Sequence, residues 1–183
     1  MSALILRYGI IAGVIVTIPL LWNWLAMSPE DKPITGMLFG YLIMIVSMSM
    51  VFVGIKAYRD QVMGGVVQFV PALAVGLGIS AVASLFYVVS WEISMAYSSW
   101  DFIAYYKTAI IDAAKANGAT PEELQKAVAD AESFATMYQN PLVRIPMTFL
   151  EMFPVGLLIS LLSAAVLRNP RVLPARARAA VPR

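Results

Sequence analysis

Four stretches of this chain stay apolar long enough to cross a lipid bilayer, and no other feature constrains the fold as strongly. A spanning helix needs about 20 mainly apolar residues to cover roughly 30 Å of hydrocarbon. Leu4 to Met27, Thr35 to Ile55, Val66 to Trp91 and Pro146 to Leu167 all meet that test. Hydrocarbon offers no water to backbone N–H and C=O groups, so each stretch must satisfy them internally as a helix. The expected fold class is therefore all-α: a polytopic membrane protein with four transmembrane helices in one membrane domain over residues 1–183. The first stretch is too long for the apolar region of a signal peptide and no small-residue cleavage site follows it, so it reads as a retained span.

Composition agrees and removes whole classes of chemistry. Charged residues make up 13% of the chain, against roughly a quarter in a soluble domain. There are no cysteines and no histidines, which excludes disulfides, thiolate nucleophiles, zinc and iron–sulfur sites, and His-based triads or proton relays. A net charge of +2 and the lack of a glycine-rich phosphate loop give no reason to expect nucleic acid or a nucleotide cofactor. Met44, Met48 and Met50 with Met37 read as a flexible packing surface rather than a metal or cofactor site. No catalytic set, cofactor or metal is expected.

Lys and Arg in alternate connections set the orientation. Arg7, Lys56, Arg59 and the tail residues Arg168, Arg171, Arg176, Arg178 and Arg183 stand on one side against a single acid, Asp60. The other side holds Lys32, Lys107, Lys115, Lys126 and Arg144 against ten acids, Glu151 included. Both termini are thus expected in the cytoplasm and residues 92–145 outside it. The basic tail, 168–183, reads first as a topology determinant and second as a clamp for anionic lipid.

Residues 92–145 are too polar to enter the bilayer and too patterned to lack structure. One helix is expected from a Ser98-x-x-Asp101 start, with Phe102, Tyr106, Ala109, Ile110 and Ala113 on one face and a stop at Asn117-Gly118. A second opens at Thr120-Pro121-Glu122-Glu123, which supplies an N-cap, a proline at the first helical position and a capping-box glutamate. Its stripe is Leu124, Ala127, Val128, Ala131, Phe134 or Ala135, and Tyr138. Two amphipathic helices joined by a glycine turn should form an antiparallel hairpin. The acids Asp112, Glu122, Glu123, Asp130 and Glu132 fit no EF-hand spacing and read as a solvated face.

Helices in lipid associate by close van der Waals packing, which favours small residues at every fourth position. The third span carries Ala72, Gly76, Ser80 and Ser84 in that register, and the fourth Gly156, Ser160 and Ala164. The first has Gly9, Gly13 and Thr17, the second Gly36 and Gly40. Pro71 and Pro154 each remove a backbone bond and can bend their helices.

With these motifs in hand, the chain resembles a bacterial membrane family called domain of unknown function 4199. The resemblance rests on VFVGIKAYRD (Val51 to Asp60), Gly64-Gly65, DFIAYYK at the start of the outer excursion, YQNPL (Tyr138 to Leu142) and TFLEMFPVGLLISLLSA (Thr148 to Ala164). It implies four spans, a long extracytoplasmic segment and an inner-membrane location, and supplies no activity.

Two groups are candidates for function. Glu151 is a carboxylate inside the fourth span, and ionisable residues there are functional hypotheses by default. At about 1.5 Å per residue it lies about 24 Å from Leu167, or about 6 Å inside the outer boundary. Glu92, at the outer end of the third span, lies at a similar height; two neighbouring carboxylates could take up a proton or a cation. Arg144 and Lys107 are possible partners of either acid, although Pro146 can turn the chain between Arg144 and Glu151. The simpler account makes both acids interfacial anchors. The second group is Lys56, Tyr58, Arg59 and Asp60, able to grip a lipid phosphate or a partner, or simply to anchor a short loop.

The expectation for function is a small accessory or structural membrane protein that binds another membrane protein or a second copy of itself. The alternative is a proton- or ion-coupled transporter using Glu151 and Glu92. A lipid-modifying enzyme ranks last, because no nucleophile, metal set or oxyanion device is apparent.

Overall fold

The computed structural model describes residues 1–26, 37–99 and 101–174. Met27, Lys32, Thr35, Gly36, Arg176, Arg178 and Arg183, all used above, lie outside the described residues, as does the side chain of Met37. The described residues form α1 (Ser2–Ala26), α2 (Met37–Gln61), α3 (Phe69–Tyr97), α4 (Phe102–Ala116), α5 (Pro121–Tyr138) and α6 (Pro141–Leu167). Four of these helices, α1, α2, α3 and α6, are long and apolar enough to span a bilayer.

Three boundaries differ from the sequence reading by five residues or more: α2 runs on to Gln61, α3 to Tyr97, and α6 starts at Pro141 instead of Pro146. Polar residues continue each helix beyond its apolar window because helical backbone bonds do not depend on hydropathy. Pro146 therefore sits inside α6 and does not turn the chain. Pro71 falls in the first turn of α3, where a backbone N–H has no intrahelical acceptor, so its missing donor breaks nothing.

The chain divides into two compact units. The first comprises Met1–Pro19, Thr35–Tyr87 and Phe149–Arg183, and its packing is organised around α3. Half of the most apolar window of α3 is buried, against 22% for α1. A Cβ placed on Gly9 would lie 2.6 Å from Val82, Gly13 backs onto Phe86, and Gly78 takes Ile5. Each step of four along α1 meets a step of four forward along α3, so the two run parallel. On the other flank Gly76 meets Ser160 and Gly156 meets Ser80, with built Cβ positions 2.8 and 2.6 Å away. Here a step forward along α3 meets a step back along α6, so this pair is antiparallel. Ser80 and Ser160 hydroxyls lie 3.2 Å apart and donate to the carbonyls of Gly76 and Gly156. Their polar groups are thereby satisfied within the seam.

The second helix packs differently from expectation. Gly40 has nothing within 4 Å of a built Cβ, and the close approach is made by Gly54, against Ile79 and Tyr8. Ser47 ties α2 to α1 by donating to the Ala12 carbonyl at 2.7 Å. Gly64 and Gly65, at φ +67° and +97°, make the turn into α3 in a region that side-chain-bearing residues avoid.

The second unit comprises Leu20–Ile34 and Val88–Thr148. Helices α4 and α5 pack on each other as a hairpin, turning at Asn117 and at Gly118 with φ +75°. The capping box of α5 is complete: Glu123 N–H donates to Thr120 Oγ1, and Thr120 N–H donates to Glu123 Oε2 at 2.8 Å. That backbone donor, with the Thr120 hydroxyl, holds the Glu123 carboxyl below its usual range. The start of α4 is a correction. Asp101 is itself the N-cap, accepting from Ala104 N–H at 2.9 Å. Ser98 directly follows α3, its N–H donating back to the Ser94 carbonyl, and its hydroxyl donates to the Trp24 carbonyl at 2.7 Å.

Candidate functional site

In the second unit, the last turns of α3 and the first turn of α6 bring Glu92 and Arg144 together. Arg144 Nε donates to Glu92 Oε1 at 2.7 Å and Nη2 to Oε2 at 2.5 Å. This is the forked, two-bond geometry that suits a guanidinium to a carboxylate. Nη1 reaches the Tyr138 carbonyl at 3.2 Å, and the guanidinium lies 6.0 Å from the Tyr138 ring centre. Tyr138 in turn accepts from Trp91 Nε1 at 2.8 Å. Around this core the rings of Trp24 and Trp91 meet edge to face at 5.2 Å, and Trp91 and Phe102 at 5.0 Å. Tyr106, Phe134 and Tyr138 continue the cluster onto the hairpin, with centroids 4.5 and 5.1 Å apart. Edge-to-face and offset pairs of this kind add to the stabilisation from burial. Lys107, the other sequence candidate, faces Glu132 at 3.8 Å, with Lys107 half-buried and Glu132 largely solvated.

In the first unit Glu151 accepts a hydrogen bond from Tyr87 Oη on α3 at 3.1 Å, and among the described residues it has no second donor. It is exposed on the flank of the unit. With Gly40, Tyr41 and Met44 of α2 it lines an open concavity of about 260 Å³. Gly40 contributes the notch, since no side chain fills the space above it.

The cluster at the end of α2 is a latch. Arg59 is fully buried; its guanidinium donates to the Val172 carbonyl at 2.8 Å, to the Leu173 carbonyl, and at 3.5 Å to the Leu167 carbonyl at the end of α6. Asp60 holds it from the other side through Nε at 2.7 Å and also takes Lys56 at 2.5 Å. Tyr58 is buried. Arg59 thereby satisfies two carbonyls in the segment that follows α6 and approaches one that the end of the helix leaves open, and of the four residues Lys56 keeps the most exposure. Among the described residues, no three acids gather where a metal could be held.

Sequence reasoning missed Tyr87 and the carbonyl partners of Arg59. A tyrosine in an apolar span carries no local mark of its partner, and those carbonyls lie more than a hundred residues away in the chain. Trp24 was equally unannounced. Its contact with Trp91 depends on helix pairing, which spacing along one helix does not reveal.

Four helices of bilayer length and apolar composition define a multi-pass helical membrane protein. The chain belongs to the family described as protein of unknown function DUF4199, whose profile covers residues 7–169. Comparison with curated proteins and with solved structures finds no match.

The Glu92–Arg144 pair makes a direct prediction. Breaking a buried pair from one side costs about 3–5 kcal/mol; partial exposure of Glu92 lowers the expectation for Arg144→Met to about 2–3 kcal/mol. Unfolding in mixed micelles should show that loss, and the double variant Glu92→Met/Arg144→Met should recover at least half of it. A stable single variant would mean the fork does not hold the unit together.

Proposed function

We propose that this chain is an accessory membrane protein that binds a partner protein through its α4–α5 hairpin. In this reading it lies in the bacterial inner membrane, with both termini cytoplasmic and the hairpin outside. The observation that carries it is the way the hairpin is fastened. The Arg144–Glu92 fork, the Trp91–Tyr138 hydrogen bond and the ring cluster fix α4 and α5 on the ends of α3 and α6. A presented surface so held loses little further freedom on binding. It carries an open concavity of about 430 Å³ lined by Asp101, Ile103, Lys107, Thr108, Ile111 and Gln139, among others. Such a mixed apolar and polar lining suits a protein segment, with isoleucines for contact and Lys107 and Gln139 for orientation. The fork also occupies Glu92, which takes one of the two acids away from the transport reading.

The sequence holds no cysteine, so orientation can be tested with single introduced thiols. A membrane-impermeant maleimide should label Lys115→Cys in intact cells and Arg171→Cys only after permeabilisation; the reverse pattern would invert the topology. Docking is tested by quantitative affinity capture of the full chain in mild detergent. Proteins enriched with the native chain should fall at least fivefold with Ile111→Arg or Lys107→Glu, and remain with Gly40→Leu. The reading fails if no enrichment depends on the hairpin, or if the purified chain in liposomes carries an ion flux that Glu151→Gln abolishes.

A further inference from the structure

The concavity beside Glu151 has features that the hairpin reading does not use. It is lined from α2 and α6, whose side chains Leu42, Ile45, Leu150 and Leu158 near it in sequence are between 56% and 62% exposed. For two spanning helices, such leucines and isoleucines face lipid tails. A carboxylate opening on that surface is costly unless something compensates it. Tyr87 supplies one hydrogen bond, to Oε2, and a carboxylate has capacity for several more.

Depth and direction narrow the occupant. Glu151 lies about 24 Å along α6 from Leu167, so it is about 6 Å beneath the hydrocarbon boundary farther from the chain termini. Helical side chains lean toward the N-terminus of their helix, which for α6 is the end at that boundary. The carboxylate therefore reaches toward the headgroup layer. The space available, about 260 Å³, is that of a small polar head whose chains remain in the bilayer. Tyr41, 51% exposed, adds a ring and a hydroxyl to the wall; Met44 and the Gly40 notch supply apolar contact.

We propose that the Gly40–Tyr41–Met44–Glu151 concavity binds a phospholipid with a primary-amine head, of the phosphatidylethanolamine kind, in the leaflet opposite the termini. The ammonium seats on the Glu151 carboxylate. Its three N–H groups can serve Glu151 and still reach a tyrosine oxygen or water, which a quaternary head cannot do and an anionic head would oppose. The ring of Tyr41 favours a cation at the same place. The bound lipid compensates the carboxylate and makes α2 and α6 a selective contact with the bilayer.

The test uses the full chain, purified and presented with equimolar dioleoyl phosphatidylethanolamine, phosphatidylcholine and phosphatidylglycerol, with bound lipid read by native mass spectrometry. The native chain should retain phosphatidylethanolamine at least tenfold over the other two. Glu151→Gln should abolish that preference, and Gly40→Leu, which fills the notch without touching the acid, should reduce it severalfold. Glycerophosphoethanolamine, which has the head but no chains, should fail to displace the lipid at equal concentration. Equal retention of all three lipids, or preference surviving Glu151→Gln, overturns the proposal. So does displacement by the chainless head, which would point to a soluble amine. A dimer that dissociates on Glu151→Gln without any lipid preference also overturns it, by making a second copy the occupant.

Discussion

Close approach along the small-residue faces of α3 is the interaction on which the rest of the first unit depends. Hydrocarbon is as apolar as leucine, so burying leucines between helices in a bilayer gains little; contact density must come from backbones that come near each other. Gly9, Gly13 and Gly78 let α1 lie against one face of α3, and Gly76, Ser80, Gly156 and Ser160 let α6 lie against another. A Cβ has no room at most of these points. The serines fill the space with small side chains and return their hydroxyls to the carbonyl one turn earlier, so close packing leaves no penalty for those polar atoms.

Helices packed this tightly fix the height of every side chain on them, and that decides what the polar residues can do. Within the second unit, by itself, Arg144 takes Glu92 as a fork, and the ring cluster fastens the hairpin. At the end of α2 the fixed register buries Arg59 against the carbonyls that follow α6. Both arginines are used to complete structure. Glu151 is different: Tyr87 holds one oxygen, while the concavity shared with α2 leaves the acid open on a flank that faces lipid. An unfinished site among finished ones is the physical reason for assigning that place a ligand.

Much of this was legible in the sequence, for reasons specific to each element. Thr120-Pro121-Glu122-Glu123 marks the start of α5 because a capping box is local chemistry, and the structure forms it as written. The four apolar stretches mark the spans because their length is set by the bilayer. The small-residue faces of α3 and α6 were readable as a period of four. The same rule failed on α2, where Gly40 is open and Gly54 does the packing, since periodicity finds faces and does not say which is covered. Ser98 misled for a related reason: a hydroxyl with the right spacing for a cap is taken by the Trp24 carbonyl, an acceptor that only tertiary structure provides. Arg144 could be named as a possible partner of Glu92, but its two-bond geometry and its third bond to Tyr138 depend on α6 starting a turn earlier than hydropathy indicates.

Whether close approach of α3 and α6 holds the fold is read most directly from the unfolding free energy of two alanine substitutions that differ only in what the new methyl meets. At Gly156 it collides with Ser80, whose Cβ is fixed to its own helix. At Gly40 it enters open space. Alanine favours a helix over glycine by up to about 1 kcal/mol, whereas overpacking costs about 1–3 kcal/mol. Gly156→Ala is therefore predicted to destabilise the protein by about 1–2 kcal/mol and Gly40→Ala to leave it unchanged or slightly more stable. If Gly156→Ala proves as stable as the native chain, close approach of α3 and α6 is not what holds this fold.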